Sequence, residues 1–278
     1  MYFKFLLISV LVLKGSCEKS LKLEQVLILS RHNVRTPLSK NLANFTPKTW
    51  PSWKEKSGYL TAKGTLLEGF MGEYFNSWFR KEGSKPNLEG PLKVSKSVID
   101  SFIMENYEGF PTKEVAWGEL KNTSHWNLIF ELSRGYHNVI FNTTLIAKDI
   151  AEPLLKYIRD IFLNKRAKVT LLMGHDANIY TLVKSMSFKP YSLRNQHEIT
   201  PVGGKIVFRK WVDVNTRILF MKIDYVYQST KQMREGRKLS MDNPPEFTSL
   251  QLEGCKTDDK GFCLWDDFVK LLNELVDN

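Results

Sequence analysis

With 278 residues, 42% of them apolar and 12% aromatic, the chain is long enough for one large domain and too apolar for a disordered one. Its net charge of +10 suits acidic small molecules or a polyanionic surface. The basic residues form no single stripe interleaved with aromatics, which argues against nucleic acid as the partner.

Met1–Cys17 carries Lys4, the apolar run Phe5–Leu13 and then Gly15 and Ser16, ahead of the first acidic residue at Glu18. A basic start, an apolar centre and small residues before a cleavage point are the pattern of a secretory signal peptide. The apolar run is too short to span a membrane, and no later stretch is long and uncharged enough to do so. Residues 18–278 then form one exported domain, secreted or periplasmic, with no membrane contact after cleavage.

Val26–Leu29 is a continuous apolar tetrad and reads as a strand buried on both faces, of the kind found inside a parallel sheet. It runs into Arg31, His32 and Arg35, and Pro37 stops regular structure. Ligands of open α/β sheets bind beyond the carboxyl ends of strands. Two guanidinium forks match phosphate oxygens, and an imidazole between them is placed to attack phosphorus. The competing reading is a strand end whose charges face water.

Residues 41–58 are polar and broken by Pro47 and Pro51, a loop beside the site, with Trp50 and Trp53 either at its mouth or packed on the body. Leu66, Leu67, Phe70, Met71, Tyr74, Phe75, Trp78 and Phe79 repeat with the spacing of one helix face. Gly83–Pro91 is a linker, and Val94–Tyr107 a second amphipathic helix stopped by Gly109 and Pro111. Residues 119–134 and 142–164 also read as helices. The latter turns Ile146, Ile150, Leu154, Tyr157, Ile158 and Ile161 inward and is kinked at Pro153.

Val169–Met173 is a second buried strand, and it too delivers polar residues at its end, Gly174-His175-Asp176. The start of the helix that follows favours a bound anion, to which His175 can donate. Asp176 is placed either to protonate a leaving alcohol or to cap that helix. Lys205–Trp211 and Ile218–Gln228 alternate as a hairpin, and Leu264–Val276 is a closing helix. The fold class expected is α/β, a mostly parallel central sheet flanked by helices. Cys255 and Cys263, in a polar turn-rich segment of an exported chain, read as a disulfide.

Arg31-His32-Asn33-Val34-Arg35-Thr36-Pro37 together with Gly174-His175-Asp176 resembles the histidine acid phosphatases, the branch of the histidine phosphatase superfamily that includes acid phosphatases and phytases. Trp50 to Trp53, Tyr107 to Pro111, Val115 to Glu119, Thr200 to Phe208 and Tyr225 to Ser229 are similar to the bacterial periplasmic glucose-1-phosphatase group of that family. The resemblance extends over nearly the whole chain after Cys17.

The resemblance implies a phosphomonoesterase acting on sugar phosphates, or on phytate, through a phosphohistidine, with no metal and no cofactor. By carry-over His32 is the nucleophile, Arg31, Arg35 and His175 hold the phosphoryl oxygens, and Asp176 protonates the leaving group. Glu108 matches an acidic residue that contacts substrate in the glucose-1-phosphatase group; the other reading is a solvated helix end. The chain departs from the family at residues 83–90, where a long insert is missing together with an arginine that ligates phosphate, which implies a reduced helical cap. An alternative is therefore a catalytically impaired protein that binds phosphorylated ligands.

Overall fold

In a computed structural model, residues 21–38, 47–81, 98–141, 144–164 and 167–277 are described. The signal peptide read at Met1–Cys17 and the missing insert placed at residues 83–90 lie outside the described residues.

The chain order is β1 (Leu21–Arg31), α1 (Ala62–Lys81), α2 (Val98–Glu108), α3 (Thr123–Phe141), α4 (Thr144–Leu163), β2 (Val169–Gly174), α5 (Asp176–Ser185), β3 (Lys205–Asp213), β4 (Leu219–Tyr227), α6 (Thr230–Glu235), β5 (Glu246–Leu250), β6 (Phe262–Leu264) and α7 (Trp265–Asp277). The sheet runs β2-β1-β3-β4-β5, with β6 paired to β4.

Among the described residues only β1 and β2 pair in parallel; β1–β3, β3–β4, β4–β5 and β4–β6 are antiparallel. The expected mostly parallel sheet is thus corrected to a mixed, mostly antiparallel one. Continuous apolar runs report burial on both faces, not strand direction. Here both faces are covered because helices lie on each side. Leu27 and Leu29 point into a core with Leu155 and Ile158 of α4, Ile179 and Leu182 of α5, and Phe268 of α7. Val26 and Ile28 alternate to the other side, against Met71, Tyr74, Phe75 and Trp78 of α1. Each such side chain contributes roughly 1.5–3 kcal/mol by leaving water.

Helix α1 buries Leu67 together with these four, whereas Leu66 is exposed. Helix α4 turns Ala147, Ala151, Leu155, Ile158, Ile161 and Phe162 inward. Ile146, Ile150 and Tyr157, expected inside, are all more than 40% exposed. The two alanines explain the difference, since small residues let α4 approach α5 closely and rotate the larger ones outward. Helix α3 starts at Thr123 instead of 119 and continues to Phe141. Before it, Ala116, Trp117 and Gly118 all have positive φ, a turn whose Ala116 N–H donates to the buried Glu105 carboxylate at 3.0 Å. Trp50 packs on Trp117 and Phe102, and Trp53 on Phe110, so both indoles brace the body.

The hairpin expected across residues 212–217 is present, with Val212 opposite Leu219. Cys255 and Cys263 are bonded, S–S 2.00 Å, next to the strip where Cys263 pairs with Met221 of β4.

Candidate active site

The register of the parallel β1–β2 pair sets Arg31 opposite Gly174, so the chains leave the sheet side by side and place His32 beside His175. The His32 N–H donates to the Gly174 carbonyl at 3.3 Å, and the two imidazoles lie 5.3 Å apart edge to face. From the opposite flank, the loop before β3 closes on the same point. The Gly203 N–H donates to the His32 carbonyl at 3.0 Å, and the Arg31 N–H to Gly204 at 2.9 Å. Gly203 has φ +69, and a Cβ there would stand 2.5 Å from the Asn33 amide nitrogen. Gly64 in α1 is equally constrained, because a Cβ would stand 1.8 Å from the Val34 carbonyl oxygen. Glycine at both positions lets backbone and helix approach the His32 loop.

The hydrogen bonds of His32 fix its tautomer. Nδ1 lies 2.8 Å from the Asn33 carbonyl, which can only accept, so Nδ1 carries the proton. Nε2 lies 3.2 Å from Arg35 Nε–H, which can only donate, so Nε2 presents its lone pair. Burial first, then the charges of Arg31 and Arg35, push His32 down from the ordinary 6.5 to about 3. The imidazole is therefore neutral over nearly the whole acid range.

Arg31 is 2% exposed. Its Nη1 donates to Glu198 at 2.9 Å and to the Thr200 carbonyl at 2.6 Å, while Nη2 lies 3.9 Å from Asp176. Burial opposes its charge, but Glu198, Asp176 and Asp100 outweigh it and hold the guanidinium above its ordinary value. The Nε of Arg31 is buried and has no hydrogen-bond partner among the described residues, a donor left for an incoming oxygen. Arg35 donates to the Thr36 carbonyl and lies 3.9 Å from Asp100; burial and Arg31 lower its proton affinity.

His175 is the N-cap residue of α5 and Asp176 its first residue. The Asn178 side chain accepts from the His175 N–H at 2.9 Å, and Asp176 Oδ1 accepts from Ala177 N–H at 2.9 Å. The two carboxyl oxygens of Asp176 are thus placed differently: Oδ1 serves the helix end, and Oδ2 faces Arg31 and His137.

Arg31, His32, Arg35, His175 and Asp176 are brought together at one edge of the sheet. Glu108 instead contacts α1. Its Oε2 accepts from the Thr61 hydroxyl at 2.5 Å, its carbonyl accepts from Lys63, and burial raises its carboxyl.

Two further residues join the group without having been read in the sequence. Glu198 pairs with Arg31 and accepts from the Tyr107 hydroxyl at 2.9 Å. His137 lies 3.0 Å from Asp176 and stacks on Tyr180 at 4.4 Å. Glu198 sits in a loop with no pattern to mark it. His137 does carry a signal, since it shares a helix face with Trp126, Phe130 and Phe141, where a histidine is a polar intruder.

No family profile matches the chain. A glucose-1-phosphatase of Providencia rettgeri is 29% identical over 384 residues, covering 92% of this chain and 92% of the relative. That of Salmonella typhimurium strain LT2 is also 29% identical, covering 91% and 92%. Among solved structures, the apo phytase of Hafnia alvei superimposes with a TM-score of 0.81 at 21% identity, over 92% of this chain and 97% of the phytase.

Proposed function

We propose, from the premise that the chain is a member of the histidine acid phosphatase family, that it is an acid phosphomonoesterase acting on sugar phosphates or phytate through a phosphohistidine. The observation that carries the reading is the forced tautomer of His32, a neutral imidazole whose Nε2 lone pair accepts from Arg35 and which lies in the field of both Arg31 and Arg35.

The substrate phosphate enters against Arg31, Arg35 and His175, and the Nε–H of Arg35 turns from His32 to a phosphoryl oxygen. His32 Nε2 then bonds to phosphorus as the bond to the ester oxygen breaks, and Asp176 gives that oxygen its proton. The Asn33 carbonyl, already accepting from Nδ1, stabilises the positive charge that develops on the ring. Water attacks the phosphohistidine in the second half, and its proton returns to the Asp176 carboxylate. No step calls for a metal or cofactor. Glu108 enters this reading as a substrate contact at the end of α2.

We also infer that a cap segment and a phosphate-ligating arginine of the family are missing near residues 83–90. An aligned length of 384 residues against a chain of 278 supports this, since the relative must carry residues that face none here. Losing one charged donor to the transition state costs on the order of 100- to 1000-fold in rate, so slow turnover is expected. Export to a periplasm or beyond belongs to the same reading. Among the described residues no helix is long and apolar enough to cross a membrane.

The test is phosphate release from glucose 1-phosphate, phytate and 4-nitrophenyl phosphate at acid pH, for the native protein and His32→Ala, with and without chelator. Hydrolysis that needs His32 and survives chelation supports the reading. Saturable binding of these esters without release of phosphate replaces it with that of a binding protein.

A further inference from the structure

His137 is held by two contacts that cannot both be made by an ordinary neutral imidazole facing a carboxylate. Its Nδ1 lies 2.7 Å from the carbonyl of Ser133, one turn back in α3. A carbonyl only accepts, and two lone pairs at that distance would repel, so Nδ1 carries a proton. Its Nε2 lies 3.0 Å from Asp176 Oδ2. With Nδ1 protonated, a neutral ring offers a lone pair at Nε2, and an ionised Asp176 offers another. The contact requires one more proton, either on Oδ2 as a carboxylic acid donating to Nε2 or on Nε2 as an imidazolium.

We propose that His137 and Asp176 share this proton, and that His137 is the positioning residue that keeps it on the pair until the leaving oxygen takes it. The inference rests on the phosphatase reading for its use, but not for the placement of the proton.

The surroundings fit a retained proton. His137 is buried, its ring stacked parallel on Tyr180 of α5 at 4.4 Å and tilted against Phe141 at 5.9 Å. From β1, the Arg31 guanidinium lies 3.9 Å from the same Oδ2 and favours the ionised carboxylate, which moves the shared proton toward Nε2. Glu198 offsets that charge by pairing with Arg31 at 2.9 Å. Arg134, the other cation on this part of α3, donates to the His197 carbonyl. His175 precedes Asp176 in the chain and stands on the His32 side.

As the bond from phosphorus to the leaving oxygen breaks and the bond from His32 Nε2 to phosphorus forms, the shared proton goes to the leaving oxygen. The pair is left as a neutral imidazole and a carboxylate with lone pairs opposed. The attacking water of the second half-reaction supplies the proton that restores it. Without His137, Asp176 next to Arg31 loses its proton at lower pH, and the acid form becomes scarce.

Two measurements test this. In protein labelled with 15N-histidine, the His137 resonances, identified by their loss in His137→Phe, should show a protonated Nδ1. A ring with bare Nδ1 and protonated Nε2 overturns the proposal, whether or not the protein is an enzyme. Should His137→Phe not fold, the same resonances are identified by their displacement in Asp176→Asn. In kinetics, folded His137→Phe should lose about 10- to 100-fold in kcat on glucose 1-phosphate near neutral pH, with the alkaline limb of the profile moved to lower pH. It should lose far less on 4-nitrophenyl phosphate, whose leaving group needs little acid. An equal loss on both esters with an unmoved alkaline limb would reduce His137 to packing and overturn the proposal.

Discussion

Replacing His32 by asparagine should make the protein less sensitive to acid, although it removes the proposed nucleophile. In the folded chain His32 protonates at about 3, whereas in the unfolded chain it protonates at the ordinary 6.5. Below the unfolded value the unfolded state binds a proton that the folded state refuses, so stability falls as pH drops from 6.5 toward 3. Between about pH 7 and about pH 4 this one group removes roughly 3 kcal/mol. Asparagine does not titrate. Urea unfolding of native protein and His32→Asn at both pH values isolates the effect, since all other titrating groups are common to both. The expected result is a pH-dependent loss smaller in the variant by roughly 3 kcal/mol. Parallel losses would refute the buried, cation-flanked environment assigned to His32.

Gly64→Ala should destabilise the fold by roughly 2 kcal/mol or more, because its Cβ would stand 1.8 Å from the Val34 carbonyl; an unchanged midpoint in urea would contradict this packing. Glu198→Ala leaves the Arg31 guanidinium buried without its nearest carboxylate and should cost about 3–5 kcal/mol, read by thermal unfolding; a loss below about 1 kcal/mol would show that Arg31 does not depend on it. Asp176→Asn should slow esters with poor leaving groups at least about 100-fold while sparing activated aryl phosphates, and equal losses on both would leave only the helix-end role. The acid limb of kcat/KM, once the ionisation of the substrate is divided out, should lie near the value of about 3 held by His32, and a limb near 6.5 would contradict it.

The grouping of the candidate site was legible where chemistry and sheet geometry coincide in one short stretch. Arg31, His32 and Arg35 follow an apolar run, His175 and Asp176 follow another, and the parallel register then sets the two stretches side by side. Strand direction was not legible, because Val26–Leu29 would look the same beside a parallel or an antiparallel neighbour. Its burial comes from the helices on both faces. The face of α4 was misjudged for a related reason. Size-based reading counts Ile146 and Ile150 as core, whereas close packing selects Ala147 and Ala151. The short elements β5, β6 and α6 lack enough residues for a period to show. Glu198 and His137 reach the site through tertiary contacts, Glu198 lying 167 residues from its partner Arg31 and His137 39 residues from its partner Asp176.

Trapping by an alkaline detergent quench, with a phosphomonoester labelled in its phosphoryl group, tests the central claim most directly. The account predicts an acid-labile, base-stable label that peptide mapping places on His32, absent from His32→Ala and accumulating if release of the phosphoryl group is slow. Phosphate release without any trapped label at His32, or a label that persists in His32→Ala, would contradict it.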